Sequence, residues 1–213
     1  MIVAKNISKK FHDDHYALMN ISFSTEERPL VVIGEDGAGK TELLEIIAGV
    51  EKSYEGELYI NGDERRTIEN NDLKISFITK KPTLFKFKSV YKNLEYVFKV
   101  GGNKFDKIKA RKKIGEVAKE LNIIGLLEKP VFKLNEFEKK LVCLSRILLK
   151  ESSVILIDEP FFKLNNFEIS SLWQNILLVS RKLSSDLIVA DTGQNIAYFD
   201  ECLVLKVEYG TIK

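Results

Sequence analysis

The sequence predicts an α/β fold in which a mostly parallel core sheet is flanked by helices. Continuous apolar runs of strand length, PLVVIG at 29–34, SVILIDEP at 153–160 and DLIVAD at 186–191, are the pattern of strands buried on both faces. Stretches with apolar residues at helical spacing separate these runs, and strands alternating with helices build parallel sheets covered on both sides. At 213 residues and 24.4 kDa the chain suits one such domain with a full hydrophobic core and is short for two.

The elements follow in order. Residues 2–7 and 17–25 alternate apolar and polar around a charged loop at 12–15, which predicts two strands of a hairpin-like edge. PLVVIG is a buried strand ending in glycine, and Leu43, Leu44, Ile46, Ile47 and Val50 then repeat at helical spacing after a glycine-rich turn. GELYING (56–62) and LKISFIT (73–79) read as further strands. From Val90 to about Lys150 the pattern is helical, with breaks at 101–103 and around Pro130. A strand at 153–160, a helix at 168–183, a strand at 186–191 and a last strand, CLVLKV, complete the order before a turn at Gly210. No internal repeat is visible.

Composition narrows the class. With 45% apolar and 30% charged residues, 4 Pro and 12 Gly, the chain is neither disordered nor collagen-like. It has no apolar run of about 18 residues, and its start, MIVAKNISKKF, lacks a charged-then-apolar leader. Neither a membrane span nor a secretory signal is expected. Cys143 and Cys202 show no metal-ligand spacing and no disulfide framework, so a reducing cytoplasm is the expected compartment. The net charge of +2 conceals a polarity: residues 80–113 hold eleven Lys and one Arg against Glu95 and Asp106, a local +10 that leaves −8 elsewhere. This stretch reads as a solvated helical surface, or as a docking surface for an acidic partner or anionic lipid headgroups. Nucleic acid is disfavoured by the overall balance.

Two motifs carry chemistry. Gly34, Glu35, Asp36, Gly37, Ala38, Gly39, Lys40 and Thr41 match G-x-x-x-x-G-K-[ST] between a predicted strand and a predicted helix. Backbone N–H groups of such a loop close around phosphate oxygens and the helix N-terminus adds its positive end. Lys40 neutralises the β/γ-phosphates, and the Thr41 hydroxyl ligates Mg²⁺. Glu42, in the first helical turn, is counted with these cofactor-binding candidates. Downstream, ILIDEP delivers Asp158 and Glu159 at the C-terminal end of a buried strand, where α/β sheets bind ligands. Asp158 is the expected Mg²⁺ partner. Glu159 is the expected residue that orients or deprotonates a water attacking the γ-phosphate.

In this order of parts the sequence resembles the ATPase domain of ABC transporters over nearly its whole length. KNISKKFHDDHYALMNISF, the phosphate loop, GELYING, FITKKPTLF, a helical insert, LNEFEKKLVCLSRILLKE, VILIDEP and IVADTG succeed one another as the family's segments do. The resemblance implies a P-loop NTPase fold with an N-terminal antiparallel β subdomain and a helical subdomain at about 90–150, all within a single domain over 1–213. It implies ATP and Mg²⁺ as cofactors, and Phe11 as the aromatic stacking on adenine, with His15 and Tyr16 as competitors and a core role for Phe11 equally open.

Departures from the family are informative. Where the family has LSGGQ this chain has Leu134, Asn135, Glu136, Phe137 and Glu138, so both glycines are lost. In the family's head-to-tail dimer that loop caps the γ-phosphate on the partner, and close backbone approach needs glycine. Lys80 matches the glutamine that links nucleotide to the membrane subunit. The histidine that contacts the γ-phosphate is absent, its position falling on Ala190 or Asp191, and the loop after VILIDEP reads Phe162, Lys163, Leu164, Asn165. The parts that bind Mg-ATP within one chain remain while those serving the dimer are altered. The expectation is therefore competent nucleotide binding with slow or partner-dependent turnover, unless Lys80 or Asn135 takes over the missing contacts.

The leading expectation is an ATP-binding subunit of an ABC-type transporter, cytoplasmic and peripheral on the inner face of the membrane. Its expected partners are a membrane-spanning subunit and a second ATP-binding subunit, a homodimer or a heterodimer with a less degenerate chain. A nucleotide-responsive regulatory or scaffold subunit without sustained turnover is the competing reading. A nucleic-acid-associated ATPase is the third, weakened by the absence of long heptad segments.

Overall fold

The structure is a computed structural model of the chain and describes residues 1–10, 15–25, 28–68, 74–81, 83–100 and 106–213. These form two compact units, the first comprising Met1–Lys80, Ser153–Pro160 and Ser185–Lys213, the second Lys81–Ser152 and Phe161–Ser184.

The first unit opens with β1 (Ile2–Lys10) and β2 (Tyr16–Ser24), then β3 (Leu30–Ile33), α1 (Lys40–Ala48), β4 (Glu55–Ile60), β5 (Asp63–Glu64) and β6 (Ile75–Ile78). Strands β1, β2, β4 and β5 make an antiparallel sheet in the order β2-β1-β4-β5. The expected hairpin at the start is present and longer than its apolar alternation suggested. Two asparagines explain how the pairing survives: Asn6 and Asn20 take φ of 54° and 53°, and the β1 register shifts around Asn6 against both neighbours. Asparagine tolerates this left-handed conformation better than most residues, which permits a bulge without breaking the strand. The strand expected from Leu73 is described from Ile75; Leu73 itself lies outside the described residues.

The rest of the first unit is β7 (Val154–Asp158), β8 (Asp186–Asp191), β9 (Leu203–Glu208) and β10 (Thr211–Ile212). A six-stranded sheet runs β10-β9-β3-β8-β7-β6, parallel except for β10. Every residue of β3 and β7 is buried, as their unbroken apolar runs predict. Helix α1 packs on β6, β7 and β8 and also touches β2. One hydrophobic cluster joins Leu43, Ile46 and Ile47 of α1 to Ile2 and Leu58 of the antiparallel sheet and to Val32, Leu156 and Ile188 of the parallel one. Fully burying side chains of this size contributes about 1.5–3 kcal/mol each, so the glycine loop that starts α1 is mounted on a rigid helix.

The second unit holds α2 (Val90–Val100), α3 (Lys107–Glu120), α4 (Glu136–Lys150) and α5 (Asn166–Leu183). Helix α4 packs against the other three. Half-buried Arg146 and buried Asn93 tie α4 to α2: the guanidinium donates to the Asn93 carbonyl (3.2 Å) and to Asn93 Oδ1 (2.9 Å). The expected break at Pro130 is a pair of short 3₁₀ turns, Ile124–Leu126 and Val131–Lys133; the break expected at 101–103 lies outside the described residues. Helix α5 packs on α4 within this unit, and Trp173 of α5 meets Phe161 edge to face at 6.2 Å between centroids.

The basic stretch is in large part a solvated face. In α3, Lys107, Lys109, Arg111 and Lys112 are exposed while Ala110, Ile114 and Ala118 are buried. In α2, Lys92 (3.0 Å) and Lys99 (2.9 Å) both pair with Glu95, a carboxylate only 2% exposed. Among the described residues no helix is long and apolar enough to cross a membrane.

Candidate functional site

The C-terminal ends of the parallel strands gather the sequence's candidate residues within the first unit. Strand β3 runs into the glycine loop, β7 ends at Asp158 and β8 at Asp191, and β6 leads to Lys80. In the parallel register Ile33 lies beside Asp191, Asp158 beside Ala190, and Ile78 beside Ile157.

The loop itself depends on two glycines. Gly39 has φ of 99°, and a Cβ there would lie 2.3 Å from the Ala17 carbonyl oxygen; a Cβ on Gly34 would lie equally close to the carbonyl of Val207. Only glycine permits backbone to approach backbone this closely. Gly39 is also the N-cap of α1 and makes no side-chain cap hydrogen bond to its first turn. An uncapped helix start with its positive dipole end is an anion site in waiting. Glu35, Asp36 and Gly37 are exposed at the crest, whereas Ala38, Gly39 and Lys40 are buried. Lys40 folds back on the loop, its ammonium donating to the carbonyls of Gly34 (2.7 Å) and Glu35 (2.8 Å). The charge expected to face phosphate thus lies within the loop, braced by main-chain oxygens.

Thr41 and Asp158 come together, with the Thr41 hydroxyl donating to Asp158 Oδ2 at 2.9 Å. The other carboxylate oxygen, Oδ1, is buried and has no hydrogen-bond partner among the described residues. A buried polar atom without a partner costs about 1–3 kcal/mol, and here it sits beside a hydroxyl oxygen, a pair of hard oxygen donors of the kind Mg²⁺ takes. Burial holds the Asp158 carboxyl above its ordinary range; neighbouring Glu159 adds to this, while Thr41, Lys40 and Lys80 oppose it.

Glu159 follows in a left-handed conformation, φ 43°, with its N–H donating to the Ala190 carbonyl at 2.9 Å. Non-glycine residues rarely adopt this region, and such strain gathers at functional sites. Its carboxylate is ion-paired with Lys80, Nζ to Oε2 2.6 Å. Sequence reasoning missed this contact. The substitution at Lys80 was legible, but its partner lies far away in the chain and is reached only because β6 and β7 are adjacent.

Of the other expected residues, Phe11 lies outside the described ones. Tyr16, its competitor, is exposed with Lys10 Nζ 4.8 Å above its ring, and His15 is exposed. Glu42 is half-buried in α1. Asp191, at one of the two positions matched to the missing histidine, is buried and accepts from the N–H of Gly193 (3.1 Å) and the amide of Asn195 (3.2 Å), which makes it a turn-stabilising residue. In the second unit, Asn135 caps α4 through a reciprocal pair with Glu138: Glu138 N–H to Asn135 Oδ1 is 2.8 Å, and Asn135 N–H to Glu138 Oε2 is 3.0 Å. Glu136 pairs with Lys139 at 2.7 Å. In the loop after β7, Phe161 is buried, Phe162 exposed, and Asn165 caps α5.

The sequence profile described as ABC transporter matches residues 18–162. The chain belongs to the ABC transporter family. It is an ABC nucleotide-binding domain, and the match runs from β2 through the glycine loop to just beyond Glu159. The molybdate/tungstate import ATP-binding protein of Methanocaldococcus jannaschii is 32% identical over 156 residues, 73% of this chain and 51% of that protein. The sn-glycerol-3-phosphate import ATP-binding protein of Bartonella bacilliformis is 32% identical over 152 residues, 71% of this chain and 44% of that protein. The aligned region is thus about half the length of these relatives. A dimeric post-hydrolysis structure of an ATP-binding cassette bound to ADP and phosphate superposes with a TM-score of 0.87 at 20% identity, over 100% of this chain and 97% of that one. A Clostridium perfringens protein that is part of an ABC transporter complex superposes at 0.86 and 22% identity, over 100% and 86%. These likenesses establish the ABC ATPase fold, with its antiparallel β portion, parallel sheet and helical portion.

Proposed function

We propose that this chain is the ATP-binding subunit of an ABC-type membrane transporter, peripheral on the inner face of the membrane and coupled to a membrane-spanning partner. The observation that carries the nucleotide reading is the Thr41–Asp158 pair with its orphaned Oδ1, at the mouth of a glycine loop whose helix start no side chain caps. Backbone N–H groups of residues 34–41 cradle the phosphates, and Lys40 adds a positive charge. Thr41 and Asp158 hold Mg²⁺, which when bound screens the phosphate charge. Glu159 orients or deprotonates the attacking water. The names of the aligned relatives, ATP-binding proteins of import systems, support the transport role.

Turnover is the step this chain performs poorly alone. At the family's signature position the N-terminus of α4 is closed by its own Asn135–Glu138 box and carries Glu136 in the first turn. Two groups meant to meet a partner's phosphate are therefore spent internally or bear negative charge, which supports pairing with a second subunit whose signature is intact. The same observation, with the ion-paired Glu159, favours one alternative: a nucleotide-responsive regulatory subunit that switches by binding alone.

The test is steady-state ATP hydrolysis by the purified chain beside a Mg-ATP titration, with Glu159→Gln as control. We expect saturable Mg-ATP binding and slow turnover that the substitution abolishes. Binding without any turnover would select the regulatory reading, and absence of binding would end both.

A further inference from the structure

We propose that Lys80 is a built-in cation of the phosphate site, doing part of the charge neutralisation that Mg²⁺ otherwise supplies, so that this chain's nucleotide affinity depends only weakly on divalent metal. The inference rests on the nucleotide-binding reading above and deepens it, from ligand class to the form of the ligand.

Lys80 follows the C-terminal end of β6, the strand next to β7, and its ammonium reaches the Glu159 carboxylate at 2.6 Å. The side chain is 35% exposed against 13% for Glu159, so the pair lies at the mouth of the site, half-open to an incoming ligand. Asp36 of the glycine loop and Asp158 of the metal pair both act electrostatically on the same ammonium. Lys40, the other lysine of the site, donates to main-chain carbonyls. The carboxylates at the strand ends are therefore balanced from Lys80, which is ion-paired with Glu159, as well as from Lys40, which acts on Asp158.

Two consequences follow from Coulomb's law, and they act in the same direction. A nucleoside triphosphate without metal carries several negative charges, and a fixed ammonium beside the loop attracts it. A divalent cation between Thr41 and Asp158 meets a positive charge that a glutamine would not present, so the metal adds less. At an effective dielectric constant of about 20, unit charges within roughly 6 Å alter an equilibrium by tenfold or more, and partial exposure reduces that.

The experiment measures binding of a non-hydrolysable ATP analogue to the full chain by calorimetry, once with excess chelator and once with saturating Mg²⁺. It is run on the wild type, Lys80→Gln and Lys80→Arg, with thermal melts to verify folding. The quantity read is the ratio of the metal-free to the Mg²⁺ dissociation constant. We expect that ratio to rise about tenfold in Lys80→Gln and to stay within about twofold of wild type in Lys80→Arg, which keeps the charge. An unchanged ratio in a Lys80→Gln protein that still binds nucleotide would overturn the role of Lys80 alone. Failure of every variant to bind under either condition would overturn the nucleotide reading and this inference with it.

Discussion

With the Mg²⁺ role proposed for it, Asp158 shows at the scale of one residue how function would be held against stability. Its carboxyl is buried, half-satisfied by Thr41 and raised in pKa chiefly by burial. A carboxyl with a raised folded-state value binds its proton more readily in the folded than in the unfolded chain. Stability therefore falls as pH rises from the ordinary value of 3.8 through the raised one. Replacing Asp158 with Asn removes the buried charge and keeps an oxygen for Thr41. We expect the metal-free variant to be more stable than wild type at pH 8 by on the order of 1 kcal/mol, an advantage that shrinks toward pH 4. The gain in ATP affinity that Mg²⁺ still provides should be lost, the dissociation constants with and without metal agreeing within about twofold. Melting curves across pH with a parallel titration check both halves, and a variant less stable at pH 8 would contradict the reading. Glu159, at φ 43° with its N–H on the Ala190 carbonyl, is a second residue of the proposed site in an uncommon conformation.

At the scale of elements, the helices differ in how they begin and end. Helices α4 and α5 both start with an asparagine–glutamate capping box, Asn135 with Glu138 and Asn165 with Glu168. Helix α1 starts on a glycine with no such box. The uncapped helix is the one that follows the glycine loop, and the capped α4 is the one at the altered signature. At the far end of α5, Ser184 closes the helix in the left-handed region, φ 50°, its N–H donating to the Arg181 and Ser180 carbonyls. Glycine adopts that conformation without the Cβ penalty. Ser184→Gly should therefore stabilise the protein by about 0.5–1 kcal/mol, raising the melting temperature by about 2–4 °C at most. A lower melting temperature would show that the serine side chain contributes more than its backbone costs.

For the whole molecule, the question is whether two copies close on ATP. Because the α4 start is internally capped and acidic, we expect a Glu159→Gln protein with Mg-ATP to remain monomeric in analytical ultracentrifugation. The same protein also carrying Asn135→Ser, Glu136→Gly, Phe137→Gly and Glu138→Gln should shift toward a dimer. Serine and glutamine can still form a capping box, so α4 need not lose its start, and the two glycines restore close backbone approach. Equal dimerisation with the native signature would show that Asn135 or its neighbours already serve.

Much of this molecule was legible in one dimension. The unbroken apolar runs of β3, β7 and β8 named the central strands, because strands buried on both faces have no polar side to show. The loop from Gly34 to Thr41 and the Asp158–Glu159 pair could be proposed as a site from the sequence because the chemistry they offer resides in spacing or at a strand end. The order of segments carried the family. Three features were decided only by tertiary structure. The helical unit took in α5, since which helices share a core depends on packing partners distant in sequence. Lys40 turned onto its own loop carbonyls, a matter of side-chain reach around a folded turn. The Lys80–Glu159 ion pair exists because β6 and β7 lie side by side, and adjacency in a parallel sheet is set by topology, which no local pattern of residues encodes.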